Sequence, residues 1–435
     1  MNLTSTNTNS LNGEIICPGD KSISQRILIL GSLLNCDMEI SGFLDANDPN
    51  STLNALNEIG ASIKKSGSKV ILCKRELPFI KPSQNLDLGN SGTGMRLMIG
   101  LISGLGINAT LVGDSSLSKR PMSRVIKPLK EMGAKIQSNE GKSPIEILES
   151  NISSEFEYKM PIASAQVKSS LILASLSSNN SITIIEPKIT RDHTERMIEY
   201  FGGSVTHSND EIGRITVDNS KLTSKDSYEI VGDFSSAAFV IVATLISRES
   251  KVIIKNVGLN PTRCGLLEIL VLMGANIEIR NQKITCNEES GDIFVKSSYL
   301  NGIDVPEDII PNIIDEIPIL SIAASFAKGE TFITEAEELR VKESDRLQAI
   351  SDGLQKINIH HELFHDGIKI TGSSEDISHM AEIDSHGDHR IAMSFLIASL
   401  RSKKGIYVED CKNILTSFPN FIEVMSSLGI SINER

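Results

Sequence analysis

Gly19-Asp20-Lys21-Ser22, running into the apolar stretch 26–34, is the phrase on which the fold turns. A short polar side chain ahead of a long apolar run is a helix opening, because its oxygen can accept one of the amide hydrogens that the first turn leaves unpaired. The phrase returns five times. It reads Gly89-Asn90-Ser91-Gly92-Thr93 before 95–105, Ser164-Ala165-Gln166 before 171–176 and Gly232-Asp233-Phe234-Ser235-Ser236 before 237–246. It then reads Asp315-Glu316-Ile317-Pro318 before 319–327 and Gly387-Asp388-His389-Arg390 before 391–400. Successive openings lie 70, 75, 68, 83 and 72 residues apart. Capped apolar helices are common and one match would carry no weight, but six at near-even spacing mark an internal repeat.

A second phrase sits between the openings: an amphipathic helix ending on glycine, then a strand. Examples are Leu56-Asn57-Glu58-Ile59-Gly60-Ala61-Ser62-Ile63, Leu129-Lys130-Glu131-Met132-Gly133-Ala134-Lys135-Ile136, Ile198-Glu199-Tyr200-Phe201-Gly202, Leu272-Met273-Gly274-Ala275-Asn276-Ile277 and 425–430 with Gly429. Such a glycine fits the position just past a helix end, where φ is positive. The fifth repeat, Leu354-Gln355-Lys356-Ile357, lacks it. Each repeat therefore predicts a buried helix, an outer helix and a few strands, an α/β architecture. Three repeats per lobe is the natural division: 1–18 with 231–435, the N-terminal strand included, and 19–230, with the active site expected in a cleft between them. If the buried helices present their openings together, their free amides and positive dipole ends attract anions.

Composition narrows the partners. A chain of 435 residues suggests two domains. Net charge is -12 and tryptophan is absent, which argues against a nucleic-acid surface. The cysteines (Cys17, Cys36, Cys73, Cys264, Cys286 and Cys411) are scattered and form no Cys-x-x-Cys pair, as expected of reduced thiols. Residues 1–10 lack the basic and apolar stretches of a secretory leader, and no apolar run is long enough to span a bilayer. A cytoplasmic protein without membrane association is the expectation.

If the substrate is anionic, cations must be concentrated locally, and the openings hold them: Lys21 and Arg26, Arg96, Lys168 and Arg390. Others stand in polar loops, at Lys119-Arg120, Arg191-Asp192-His193 and Arg340-Val341-Lys342-Glu343-Ser344-Asp345-Arg346. One arginine is usually a solvated surface charge; recurrence at helix openings is what points to a site. Asp315 opens a buried helix and Glu343 lies among cations. Each could be merely a cap or an ion-pair partner, yet a carboxylate among cations is also a candidate acid or base.

Two motifs mislead. His361-Glu362-Leu363-Phe364-His365 matches the zincin signature, which requires a helix. Here Ile357-Asn358-Ile359 precedes it and Asp366-Gly367-Ile368-Lys369-Ile370 follows, which reads as strand, Asp-Gly turn and strand. Histidines four apart on a strand are separated by about 13 Å, too far for one zinc. Gly19-Asp20-Lys21-Ser22 ends like a P-loop but lacks its leading glycine. No metal site and no cofactor are expected.

The motifs 18–26 (Pro-Gly-Asp-Lys-Ser-Ile-Ser-Gln-Arg), 89–96 (Gly-Asn-Ser-Gly-Thr-Gly-Met-Arg), 340–347 (Arg-Val-Lys-Glu-Ser-Asp-Arg-Leu) and 388–393 (Asp-His-Arg-Ile-Ala-Met) together resemble the enolpyruvyl transferases, and within them the branch that uses shikimate 3-phosphate. The resemblance spans 19–419. It implies a two-lobed fold, an inside-out α/β barrel of six βαβαββ repeats, three per lobe. It implies that Lys21, Ser22, Arg26, Ser164, Ala165, Gln166, Arg191, Asp315 and Lys342 serve shikimate 3-phosphate. Lys21, Asn90, Gly92, Arg120, Gln166, Arg346 and Arg390 would serve phosphoenolpyruvate and its competitor glyphosate. Asp315, Glu343 and Lys21 would share the proton transfers of an addition–elimination reaction, in a division left open. Ala165-Gln166-Val167-Lys168 and Asp315-Glu316-Ile317-Pro318 look like the second class of these enzymes. Thr416-Ser417-Phe418-Pro419 departs from the first class, in which a lysine often precedes Thr-Phe-Pro. A monomer is expected.

The nearest rival is the sister enzyme that acts on UDP-N-acetylglucosamine. Its first motif reads Lys-Asn where this chain has Lys21-Ser22, and it carries a loop cysteine, whereas no cysteine lies between Cys73 and Cys264 here. A non-catalytic anion- or RNA-end-binding protein of related repeat architecture would need a basic surface, which the net charge disfavours.

Overall fold

Each of the six openings runs into a helix. A computed structural model describes residues 1–7, 10–208, 213–218 and 221–435. The core helices are α1 (Lys21–Leu34), α2 (Gly92–Leu105), α3 (Ala165–Ser177), α4 (Phe234–Ile246), α5 (Ile317–Ser325) and α6 (His389–Ala398). Five are capped by the expected side chain: Asp20, Ser91, Ser164, Asp233 and Asp388 each accept a backbone N–H of the first turn. At α5 the cap position falls on Glu316, whose side chain does not cap. Asp315, read as a residue opening that helix, lies one residue further out and has other partners, described below.

The outer helices end as the second phrase predicts. Gly60, Gly133, Gly202, Gly274 and Gly429 all have positive φ, between 75° and 108°. In the fifth repeat Asn358 takes the same left-handed position, with φ 59°. Its N–H reaches Gln355 O and the next N–H reaches Leu354 O, as Gly60 and Ala61 do to Asn57 O and Leu56 O. Asparagine tolerates this conformation better than other side chains, so the missing glycine leaves the motif intact.

Among the described residues six small sheets accompany the helices, and five of them share one four-stranded wiring. In the first repeat Ser227–Glu229 runs parallel to Met38–Ser41, which pairs antiparallel with Lys69–Cys73, which pairs antiparallel with Ser62–Ser66. Leu86–Asp87, Ala109–Val112, Lys142–Leu148 and Lys135–Asn139 repeat this order, as do Glu155–Lys159, Ser181–Ile185, Arg214–Val217 and Val205–His207. The N-terminal strands complete two later copies. Asn12–Ile16 lies parallel to Lys251–Gly258, and Leu3–Thr6 lies between Ile406–Glu409 and Ser431–Glu434. The fifth sheet keeps three strands, with two isolated parallel bridges, Asn301 to Lys328 and Asp304 to Phe332, in place of the first.

The zincin-like segment belongs to that fifth sheet. His361–Leu363 pairs antiparallel with Ile368–Thr371, the hairpin expected, although Phe364 N–H donates to Gly367 O, so the chain turns at His365-Asp366, one residue before the expected Asp-Gly position. His361 Nε2 instead lies 2.8 Å from Ser351 Oγ.

The chain forms two compact units: Met1–Pro18, Val231–Lys283 and Glu289–Arg435 make one, and Gly19–Ile230 with Ile284–Glu288 the other. In the first, α4 is buried along its whole length, as a helix apolar on every face must be. In the second, Gly100 and Gly104 bring α2 and α3 backbone to backbone. A Cβ at either glycine would stand 2.1 Å from Ser170 O or Ala174 O, so any side chain would pry the helices apart. Among the described residues no helix is long and apolar enough to cross a membrane.

Candidate active site

In the second unit three helix openings are tied together by their own side chains. Gln25 of α1 donates to Ser91 Oγ at the start of α2 (2.6 Å). Gln166, in the first turn of α3, donates to Thr93 Oγ1 (2.8 Å) and accepts from Arg96 Nη1 (2.7 Å), both on α2. Arg26 of α1 donates to Ser169 Oγ of α3 (3.0 Å), to Thr194 Oγ1 (2.9 Å) and to the Ser22 carbonyl (3.1 Å). The predicted residues Lys21, Ser22, Arg26, Ser164, Ala165 and Gln166 thus stand on adjoining helix ends. Burial, then the nearby Arg191 charge, pulls the Arg26 pKa down to about 10.

The predicted phosphoenolpyruvate residues of this unit adjoin the same openings. Arg120 Nη2 donates to Asn90 Oδ1 (2.7 Å), and Asn90 Nδ2 donates to Asp114 Oδ2 (2.7 Å). A Cβ on Gly92 would stand 2.9 Å from Arg120 Nη1 and 3.1 Å from Arg96 Nη1, so glycine is what allows two guanidiniums to approach this helix start. Lys21 Nζ pairs with Asp48 Oδ2 at 3.1 Å. Lys168 departs from the reading of it as a cleft cation. It is wholly buried and paired with Glu186 and Glu195, so it presents no charge at the helix end.

In the first unit Asp315 collects cations. Its carboxylate lies 3.3 Å from Arg346 Nη1, 3.9 Å from Lys342 Nζ, 3.9 Å from Arg263 Nη1 and 4.0 Å from Arg390 Nη2. Arg346 also grips Glu343 Oε2 (2.5 Å) and Asp388 Oδ2 (2.8 Å). Burial alone would lower the Arg346 pKa, but the Asp388, Glu343 and Asp315 carboxylates outweigh it and raise the value. Arg390 donates to the Asp315 carbonyl (2.7 Å), to Glu316 Oε1 (3.2 Å) and to Ser235 Oγ (3.1 Å). Asp315, Lys342, Glu343, Arg346 and Arg390 are therefore one cluster.

Several members escaped the sequence reading. Ser235 lies in the fourth opening, none of whose residues was a predicted site residue, yet its hydroxyl bonds Glu316, Arg263 and Arg390. Its place in the repeat was the available signal. Glu316 sat beside an assigned acid and is buried with Arg263 Nη1 at 3.4 Å. Arg263 and Asp48 carry no periodic mark in the sequence, and only folding brings them in.

Positioned cations and carboxylates of this kind can bind small dianions and move protons beside them. The comparisons agree with that chemistry. A family model described as EPSP synthase (3-phosphoshikimate 1-carboxyvinyltransferase) matches residues 5–425. The 3-phosphoshikimate 1-carboxyvinyltransferase of Ruthia magnifica subsp. Calyptogena magnifica is 45% identical over 427 residues, covering 98% of this chain and 97% of its own. An EPSP synthase structure from Acinetobacter baumannii superimposes with a TM-score of 0.86 at 39% identity, covering 100% of both chains. The enolpyruvyl transferase NikO from Streptomyces tendae shares the fold at a TM-score of 0.79 but only 13% identity, covering 99% of this chain and 98% of its own. The chain therefore belongs to the EPSP synthase family.

Proposed function

We propose that this enzyme transfers the enolpyruvyl group of phosphoenolpyruvate to the 5-hydroxyl of shikimate 3-phosphate, releasing phosphate, as a step of aromatic amino acid biosynthesis. The observation that carries the residue assignment is Arg346 holding both Asp315 and Glu343, two carboxylates at one cationic centre. In the addition step the shikimate oxygen bonds C2 of phosphoenolpyruvate, the hydroxyl proton leaves to a base, and the vinyl π pair takes a proton at C3. In the elimination step C3 loses a proton, the double bond re-forms and the C2–O bond to phosphate breaks. Fixed guanidinium and ammonium groups stabilise the charge that develops, and they need little rearrangement as it does so.

Asp315, Glu343 and Lys21 are assigned the proton transfers. Lys21, Ser22, Arg26, Ser164, Ala165, Gln166, Arg191, Asp315 and Lys342 are assigned to shikimate 3-phosphate. Lys21, Asn90, Gly92, Arg120, Gln166, Arg346 and Arg390 are assigned to phosphoenolpyruvate, and glyphosate, a small anion, competes there. Arginine suits both anions because its planar fork matches two oxygens at once. The enzyme is proposed to act as a cytoplasmic monomer.

The test is phosphate release from phosphoenolpyruvate with shikimate 3-phosphate, with UDP-N-acetylglucosamine, or with neither acceptor. Release with the first alone is expected. Release only with the sugar nucleotide would move the chain to the sister activity.

A further inference from the structure

Lys168 is a core-helix cation whose ammonium is buried against two glutamates, and its surroundings give it another task. Its ammonium lies 3.0 Å from Glu186 Oε1, 2.7 Å from Glu195 Oε1 and 3.2 Å from the Thr190 carbonyl. Glu186 turns back on the same segment. Its Oε1 accepts the Thr190 N–H (3.2 Å) and its Oε2 accepts the Thr190 hydroxyl (2.6 Å). The lysine and both glutamates are at most 2% exposed. A buried charge is tolerated only when it is paired and hydrogen-bonded, and this one is met at three points along residues 186–195.

That segment carries two groups of the anion-binding helix ends. Thr194 Oγ1 accepts from Arg26 Nε (2.9 Å) and donates to Ser169 Oγ (2.7 Å). Arg191 lies near enough for its charge to depress the Arg26 pKa, second only to burial. An apolar cluster of similar volume in place of the lysine and both glutamates together could leave the fold as stable. It could not fasten the segment to α3 at three polar points.

We propose that Lys168 is a positioning residue for the phosphate of shikimate 3-phosphate. It touches no substrate, but by clamping Glu186, Thr190 and Glu195 it holds Arg191 and Thr194 against Arg26. This inference rests on the function proposed above.

The test compares Lys168→Met with the triple variant Lys168→Met, Glu186→Gln, Glu195→Gln, which removes the carboxylates that the single change would orphan. Steady-state kinetics are measured for both substrates, with equilibrium binding of shikimate 3-phosphate and thermal melts. The expected result is a triple variant that folds and whose KM and Kd for shikimate 3-phosphate rise about tenfold or more, the scale of one lost charge-assisted contact. Its kcat, and its KM for phosphoenolpyruvate at saturating acceptor, stay within about threefold, because their groups are held elsewhere. If Lys168→Met alone does not fold, the triple variant decides. A triple variant that binds shikimate 3-phosphate like the unmodified enzyme overturns the inference alone, as does one that loses kcat and both affinities in equal proportion. An unmodified enzyme that does not bind shikimate 3-phosphate overturns the proposed function and this inference with it.

Discussion

Arg346 and Asp388 are joined by two hydrogen bonds, Nε to Oδ2 at 2.8 Å and Nη2 to Oδ1 at 3.4 Å, with both side chains at or below 1% exposure. The same carboxylate caps α6 by accepting the Arg390 N–H at 2.9 Å. One aspartate thus orients two arginines, Arg346 through its side chain and Arg390 through the backbone.

Asp388→Ala is expected to destabilise the protein by about 2 to 4 kcal/mol, combining about 1 for the lost cap with about 1 to 3 for a buried guanidinium that keeps Glu343 and Asp315 but leaves its Nε unpaired. Asp388→Asn keeps a capping oxygen, so its loss is expected to be smaller. Urea unfolding of the two variants checks this. An Asn variant no more stable than the Ala variant would show that the cap contributes nothing.

Asp315→Asn and Glu343→Gln each remove a proton acceptor while preserving shape. Each is expected to lower kcat by about 100-fold or more, the range typical of a positioned acid or base. Glu337→Gln, at an exposed carboxylate on the neighbouring turn, is expected to leave kcat within about twofold. Single-turnover rates at saturating substrates measure the difference. Normal chemistry in both site variants would remove these two acids from the mechanism.

Gly92→Ala places a methyl 2.9 Å from Arg120 Nη1 and 3.1 Å from Arg96 Nη1. Both are ends of flexible side chains, so the protein is expected to fold normally. The displaced guanidiniums are expected to raise KM for phosphoenolpyruvate about tenfold, equivalent to about 1.4 kcal/mol, and to raise the inhibition constant of glyphosate as well. KM for shikimate 3-phosphate should move far less. Inhibition kinetics against each substrate separate these outcomes.

Buried thiols set an alkaline limit on stability. Burial, reinforced by nearby carboxylates, pushes the Cys264 thiol up to about 11 from an ordinary value near 9. Between those values the folded state keeps a proton that the unfolded state has lost. Stability is therefore whole below about pH 9 and declines as pH rises to about 11, by at most about 2 kcal/mol from this group. Cys411, raised to about 12 chiefly by burial, extends the decline upward. Unfolding midpoints of Cys264→Ala across pH 8 to 11 should slope less than those of the unmodified protein. Parallel slopes would show that this thiol takes no part.

Much of the fold was legible because it rests on local rules. Asp20, Ser91, Ser164, Asp233 and Asp388 cap their helices through atoms two or three residues away, and the glycines at 60, 133, 202, 274 and 429 end theirs just as locally. The hairpin at His361 was readable from a two-residue turn. Asn358 in place of glycine shows the limit of the pattern, since the conformation survived although the residue type did not.

The site was legible where the motifs named it and opaque where partners came from afar. Asp48 meets Lys21 from 27 residues away, Arg263 meets Glu316 from 53, and Arg390 meets Ser235 from 155. No spacing rule connects such pairs.

By itself, then, the sequence determined six core helices, five of them capped by their own side chains, five glycine-ended companions and the identity of most charged groups, since backbone hydrogen bonding and periodic burial act over a few residues. The tertiary structure decided which of those charges are available to a substrate. It buried Lys168 between two glutamates, moved Asp315 off the helix cap into a ring of four cations, and drew Ser235 into the arginine cluster. The physical reason is that a charge's role depends on what faces it and on how much water remains around it. Both are properties of packing between distant segments.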